Sequence, residues 1–411
     1  MTPFLQLAMA LAIIIIAAKA GGYISYRLGQ PSVLGELMVG ILLGPSVLNV
    51  FHLAYFSDTH LIEVIHELAE VGVLLLMFLA GLDLHLPDLA RSGKVAVLAG
   101  TLGVIFPLLM GGGVSLAFSI PGPAALFVGL ILAATSVSIS AQTLMELKVL
   151  RSRVGVALLG AAVFDDILVV LGLSIFTALT FSGEGSGLIS VMTIVLRMML
   201  FLGLASLVGY FLLPRLSSQI SRLPISQGVM AFTFVAILTY GWLAETIGSM
   251  AAITGAFIAG LWLARSPVRD RIEAGTSVLA YGVFVPVFFI NVGLSANARA
   301  FDMQTIWLLV GMTAVAIVGK VLGAGLGALL SGFSRLESLQ LGVGMMSRGE
   351  VGLIVASVGI AQGLIGQETF SAVVGVVILT TLLTPPLLRI LFSRRTAPER
   401  IIEKSAEGES S

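Results

Sequence analysis

The chain of 411 residues is 57% hydrophobic and only 11% charged, with a mean hydropathy of +1.07. Soluble domains average about 45–50% apolar and about 25% charged residues, so this composition excludes a soluble enzyme, a disordered protein and a nucleic-acid binder. The 22 basic and 22 acidic residues cancel, leaving no bulk field to draw in a polyanion, and the lack of cysteine removes disulfide scaffolds, thiolate zinc sites and iron–sulfur clusters.

A bilayer crossing takes about 20 mostly apolar residues. Thirteen stretches meet that requirement, at about 4–27, 32–50, 61–85, 93–118, 122–147, 153–181, 188–213, 226–245, 248–264, 276–296, 304–330, 338–361 and 370–392. The alternation of a membrane β-barrel is absent, and lipid leaves only helices to satisfy the backbone. The predicted fold class is therefore an all-α polytopic membrane protein of about 13 transmembrane helices. Its 47 glycines suit close helix packing, and its short connections leave no room for a second soluble domain. Residues 393–411 read as a short, disordered cytoplasmic tail. Ala18-Lys19-Ala20 faintly resembles a signal-peptide cleavage site. With no basic residue before the apolar run and a lysine inside the site, the first span is expected to stay.

Lysine and arginine are distributed unevenly. One set of loops carries Arg27, Arg91, Lys94, Lys148, Arg151, Arg153, Arg215, Arg222, Arg265, Arg269, Arg271 and Arg335, and the tail adds Arg389, Arg394, Arg395, Arg400 and Lys404. The opposite loops carry only Arg299, while Lys19, Arg197, Lys320 and Arg348 fall within spans. The positive-inside rule puts the amino terminus outside and the carboxyl terminus in the cytoplasm.

Spans 1–6 then begin outside and spans 8–13 inside, giving two inverted six-helix blocks joined by the seventh span, the layout of an inverted-repeat transporter. Span 5 contains Ala134-Thr135-Ser136-Val137-Ser138 at mid-membrane, and its counterpart, span 12, contains Met346-Ser347-Arg348-Gly349-Glu350. Serine and threonine can bond back to their own helix and merely bend it. The matched positions favour two discontinuous helices.

Ionisable groups at membrane depth cost roughly 3 kcal/mol or more and need a partner, water or a function. Asp165 and Asp166 interrupt the sixth span at its centre. Neighbouring helical residues project about 100° apart, so the two carboxylates address different neighbours and are poorly placed to share one proton. Lys320 has no acid in its own span and is expected to pair with an aspartate of the sixth. Arg348 and Glu350, two apart, are expected to find partners on other helices. Glu36, Asp83, Lys19 and Arg197 lie nearer the interfaces and read as structural, snorkelling charges. A hard ion such as Na⁺ prefers oxygen ligands, which Asp166, Asp165 and the hydroxyls and freed carbonyls of Thr135 and Ser136 would supply. Proton and cation would compete for the same oxygens, and competition at a site open to one side at a time suffices for exchange. A lysine that releases Asp165 and changes its own protonation could carry a second proton. Each net charge moved is worth about 2.3 kcal/mol per 100 mV, which would make exchange electrogenic.

The runs Gly160-Ala161-Ala162-Val163-Phe164-Asp165-Asp166, Gly319-Lys320-Val321-Leu322-Gly323 and Gly342-Val343-Gly344-Met345-Met346-Ser347-Arg348-Gly349-Glu350 resemble bacterial sodium/proton antiporters of the monovalent cation:proton antiporter-2 family, of the NapA type. Gln30-Pro31-Ser32-Val33-Leu34-Gly35-Glu36, Ala134-Thr135-Ser136-Val137 and Pro286-Val287-Phe288-Phe289-Ile290-Asn291-Val292-Gly293 match in the same order. The resemblance implies a membrane antiporter domain over 1–392, with a mobile core (about 93–181 and 304–392), a dimerisation part (about 1–85 and 226–296) and a linker helix (about 188–213). Spans 5 and 12 would cross at their breaks. By the same resemblance, Asp166 binds the ion or proton and Asp165 pairs with Lys320. Thr135 and Ser136 border the site, with Asp166, Asp165 and Thr135 as Na⁺ ligands, and Arg348 and Glu350 steady the second broken helix. It further implies a homodimer in the bacterial plasma (inner) membrane, elevator-like movement of the core, and a part in pH homeostasis. No cofactor is implied beyond the transported Na⁺ or Li⁺ and H⁺. The Asp-Asp pair with the lysine resembles the electrogenic branch, and the short tail lacks the nucleotide-binding regulatory domain of potassium-efflux relatives.

Other signals are weaker. Gly319, Gly323 and Gly327 repeat every four residues within a span and read as helix packing rather than a dinucleotide site. His52, His60, His66 and His85 cluster around span 3 and read as interfacial, and Glu63, Glu67 and Glu70 as a solvated helix end. The alternative within transport is K⁺/H⁺ exchange on the same fold. An intramembrane hydrolase would need acids on separate helices or a central histidine, and a channel would need a continuous pore, against which a lysine beside the acids argues.

Overall fold

The computed structural model describes residues 2–53, 55–83, 92–181, 187–295 and 303–393, with backbone alone at 174, 177–181, 187–191, 304, 350, 354, 357 and 361. Regular structure among the described residues is entirely helical. In chain order the helices are α1 (Pro3–Arg27), α2 (Ser32–Leu43), α3 (Leu61–Leu82), α4 (Gly93–Ala117), α5 (Gly122–Ala133), α6 (Val137–Glu146), α7 (Arg153–Phe181), α8 (Gly187–Phe211), α9 (Leu213–Ile220), α10 (Gly228–Thr246), α11 (Ala252–Leu263), α12 (Arg269–Leu279), α13 (Val285–Leu294), α14 (Met303–Leu330), α15 (Arg335–Gly344), α16 (Glu350–Ala361) and α17 (Gln367–Ser393). Ten stretches among the described residues are long and apolar enough to cross a membrane, and three shorter apolar helices lie at Ser32–Leu43, Ala252–Leu263 and Val351–Ile360.

The ends follow local chemistry. Pro3 opens α1, where a missing N–H costs nothing, and the Thr2 hydroxyl accepts from Leu5 N at 3.4 Å. Ser334 and Glu337 form a capping box at the start of α15. The second span, expected to reach residue 50, stops as a helix at Leu43, because Gly44 is extended and Pro45 follows. The tenth span, expected from 276, starts as helix at Arg269 and runs through a π segment at Ala280–Phe284 into α13. The expected tail beyond Ser393 lies outside the described residues.

Helices from 93–181 and 303–393 pack mainly on one another: α4 lies along α14, α5 and α7, and α14 also meets α15 and α17. Helices from 3–83 and 228–294 form a second set, in which α1 meets α2, α3 meets α11 and α13, and α10 meets α11. The long α8 bridges, touching α7 and α11. It exposes Met192, Leu196 and Leu207, an apolar stripe suited to lipid. The α4–α14 contact is close because of glycine: a Cβ on Gly323 would stand 2.3 Å from Leu102 O. Gly319 and Gly327 also face α4, against Pro107 and Ala99. The four-residue glycine repeat is thus a helix-packing seam.

Candidate functional site

Two helices break in the interior. The α5–α6 pair is interrupted at residues 134–136, where Ala134 and Ser136 are extended, and α15–α16 at residues 345–349, where Gly349 is extended. A break in a buried helix frees backbone donors and acceptors that need partners. The two breaks supply them to each other: Ser136 N donates to Ser347 O at 2.9 Å, and the Ser140 hydroxyl donates to Gly344 O at 2.5 Å. Contact is so close that a Cβ on Gly349 would sit 2.5 Å from both Cβ and Oγ of Ser136. The two broken helices therefore meet at their breaks. Two helix N-termini and two C-termini come to this region, with their opposed partial charges.

Arg348 answers the negative end of α15. Its guanidinium donates to Met345 O (3.3 Å), Met346 O (3.0 Å) and Ala316 O (3.0 Å), with the side chain fully buried. Helix α17 clamps the same break: Arg348 N donates to the Thr380 hydroxyl at 3.1 Å, and the Thr381 hydroxyl donates to Arg348 O at 2.9 Å. Thr380, Thr381 and Ser140 join the site with no charge to mark them in the sequence. The available signal was a polar pair inside the apolar run Val376–Leu383. The Glu350 side chain lies outside the described residues.

Asp165 and Asp166 sit midway along α7, both buried, and Lys320 midway along α14, fully buried. Lys320 Nζ donates to Asp165 Oδ1. Room for the lysine comes from Gly103 of α4, where a Cβ would lie 3.6 Å from Nζ. Asp166 and Arg348 both act electrostatically on Lys320, and Arg348 also feels Asp165. Two acids and two bases thus share one interior neighbourhood. Asp165 Oδ2 and Thr135 Oγ1 are buried with no hydrogen-bond partner among the described residues. Such oxygens are costly to bury unless something else binds them.

A cleft of about 660 Å³ reaches Gly349 at the crossing. Its walls come from α3 (His66, Glu70), α13 (Asn291), α16 (Leu353) and α17 (Phe370, Val374). His66, read from sequence as an ordinary interfacial residue, lies in that wall, 3.1 Å from Asn291 Nδ2 and 3.5 Å from Glu70. His52 and His60 are exposed, and His85 lies outside the described residues. Of the charges expected to snorkel, Arg197 is exposed, but Glu36 is buried beside Gly22 of α1. Lys19 Nζ donates to Tyr281 O at 2.7 Å.

The sodium/hydrogen exchanger, transmembrane, family matches residues 11–394. The chain is 38% identical over 387 residues to the Na(+)/H(+)-K(+) antiporter GerN of Bacillus cereus, covering 94% of this chain and 96% of that protein. It is 36% identical over 379 residues to a Na(+)/H(+) antiporter of Enterococcus hirae, covering 92% and 96%. In fold it is similar to the sodium proton antiporter MjNhaP1 of Methanocaldococcus jannaschii, with a TM-score of 0.72 at 20% identity, covering 94% of this chain and 96% of that one. With the match spanning nearly the whole described chain, the protein belongs to the sodium/hydrogen exchanger family of transmembrane proteins.

Proposed function

We propose that this protein is a secondary active antiporter exchanging Na⁺ or Li⁺ for H⁺, with cation and proton competing for the Asp166 carboxylate. The observation that carries the reading is the buried Asp165–Lys320 pair beside Asp166, near two helices broken at touching points. A buried acid with a basic partner for its neighbour is a costly arrangement in an apolar interior. Its use follows from its chemistry: Asp166 can hold a proton or, with oxygens such as Thr135 Oγ1 and Asp165 Oδ2, a hard cation. Thr135 and Ser136 line the site, and Arg348 neutralises the carbonyl end of α15 so that the break keeps its shape. When the cation enters, Lys320 and Asp165 part, and a change in lysine protonation makes the cycle electrogenic.

The same reading takes the ten long and three short apolar helices as thirteen crossings in two inverted six-helix blocks, amino terminus outside and carboxyl terminus in the cytoplasm of a bacterial plasma membrane. The helices of 93–181 and 303–393 form a mobile core, and those of 3–83 and 228–294 the static, dimerising part. Their separate packing supports that division. Exchange proceeds by elevator-like movement of the core, with no bound cofactor and no enzymatic step. K⁺/H⁺ exchange is the second reading, favoured by the name of the Bacillus cereus relative, a Na(+)/H(+)-K(+) antiporter. Cation-driven proton flux in proteoliposomes, with Na⁺, Li⁺ and K⁺ compared, tests both. Na⁺ and Li⁺ are expected to drive flux that Asp166→Asn abolishes. Flux retained in that variant refutes the role of Asp166, and flux with K⁺ alone selects the second reading.

A further inference from the structure

The two packing sets are tied together at one end of the bundle and parted at the other. At the parted end lies the cleft, lined by His66 and Glu70 near the start of α3, Asn291 near the end of α13 and Phe370 near the start of α17. At the tied end, Glu146, the last residue of α6, receives Ser32 N at 2.7 Å and the Ser32 hydroxyl at 2.5 Å, where α2 begins. Gln142 Nε2 adds a third donor at 2.9 Å. A few residues on, Arg151 donates to Asp83 at the end of α3 at 2.9 Å through Nε, and Arg269 Nη2 stands 3.9 Å from the same carboxylate. His66 and Asp83 are 17 residues apart, about 26 Å along α3 by helical rise. The cleft and the ties therefore occupy opposite ends.

Charge explains why Glu146 reaches across. A carboxylate at the C-terminus of its own helix is repelled by that helix's partial negative charge, whereas the first turn of α2 presents free N–H groups and partial positive charge. Glu146 thus leaves an unfavourable helix end for a favourable one in the other packing set. Helix α6 is ten residues long, about 15 Å, with Ser136 and the helix crossing at its other end. A rigid rod of that length makes displacement at the crossing and at Glu146 one movement.

We propose that Glu146 with Ser32, reinforced by Arg151 with Asp83, are further residues of the transport cycle: they close the cytoplasmic side while the cleft stands open to the exterior, and they separate when the site turns inward. The inference rests on the alternating-access reading above, but its test does not depend on transport.

The chain has no cysteine, so single cysteines report access cleanly. Val33→Cys, buried beside Ser32, and Val374→Cys, in the cleft wall, are each labelled with a membrane-impermeant maleimide, in inside-out and right-side-out vesicles respectively. Each is compared with and without Glu146→Gln plus Arg151→Gln, and both are repeated with Asp166→Asn. Losing a charge-assisted tie raises Val33→Cys labelling about tenfold or more, while Val374→Cys labelling does not rise. Ser32→Thr, which keeps both donors, leaves both rates as in the parent. Unchanged labelling at Val33→Cys, or a rise at both positions, overturns the proposal. Failure of the antiporter reading appears separately, as no cation-driven proton flux from the parent protein in proteoliposomes, whatever the labelling shows.

Discussion

Replacing Lys320 by methionine isolates the electrostatics of the site. The lysine and Asp165 are both fully excluded from solvent and hydrogen-bonded to each other. Methionine keeps most of the side-chain volume beside Gly103 and Ala324 but leaves Asp165 a buried acid without its donor. Removing one partner of a buried pair costs about 3–5 kcal/mol, whereas replacing both by apolar or neutral groups of similar volume is often near neutral. Against a total stability of about 5–15 kcal/mol, the single change is a large fraction. The double variant Lys320→Met with Asp165→Asn should recover most of it, giving a coupling energy of about 2 kcal/mol or more. Arg348, which also feels Asp165, tempers the loss without replacing the hydrogen bond. Equilibrium unfolding in mixed micelles of rising denaturing-detergent fraction measures the four corners of the cycle. A double variant whose destabilisation equals the sum of the two single variants' to within about 0.5 kcal/mol would refute the claim that the pair is energetically coupled.

Gly349→Val places a branched side chain where Ser136 already stands 2.5 Å from the Cβ position. Overpacking of this kind costs about 1–3 kcal/mol, and transport should fall further than stability; equal flux in reconstituted vesicles contradicts the tight crossing. Arg348→Met leaves the Met346 and Ala316 carbonyls without their donor, at about 1–3 kcal/mol each. Arg348→Lys, which keeps the charge but not the planar fork, should fall between, as read by thermal melting in detergent. Gly323→Ile meets Leu102 O at the packing seam and should destabilise by about 1–3 kcal/mol, whereas a nucleotide-site reading of the glycines predicts no loss of stability.

The breaks were legible because their cause is local. Thr135-Ser136 and Ser347-Arg348-Gly349 are poor material for a buried helix, and the observed breaks at 134–136 and 345–349 fall within two residues of the polar runs. The midplane charges were equally legible, since any ionisable residue in a 20-residue apolar run stands out. Helix ends set by backbone geometry were less so. The span at 32–50 loses its last turns to Gly44-Pro45, and the π segment at Ala280–Phe284 has no periodicity signal. Least legible were contacts joining distant parts of the chain. Glu146 and Ser32 are 114 residues apart, and Arg151 and Asp83 are 68 apart. Nothing in either local sequence names its partner, and Asp83 read as an ordinary interfacial acid. Thr380 and Thr381 were hidden because threonine in an apolar helix usually bonds to its own backbone. Thr380 does so, while also serving Arg348.

Competition between Na⁺ and H⁺ at one carboxylate is tested most directly by solid-supported-membrane currents from reconstituted protein, recorded over a grid of Na⁺ concentration and pH. The account predicts that the apparent KM for Na⁺ rises about tenfold per pH unit on the acid side, while the maximal current at saturating Na⁺ holds, and that Asp166→Asn gives no Na⁺-driven current. A KM independent of pH, or Na⁺-driven current surviving in Asp166→Asn, contradicts it.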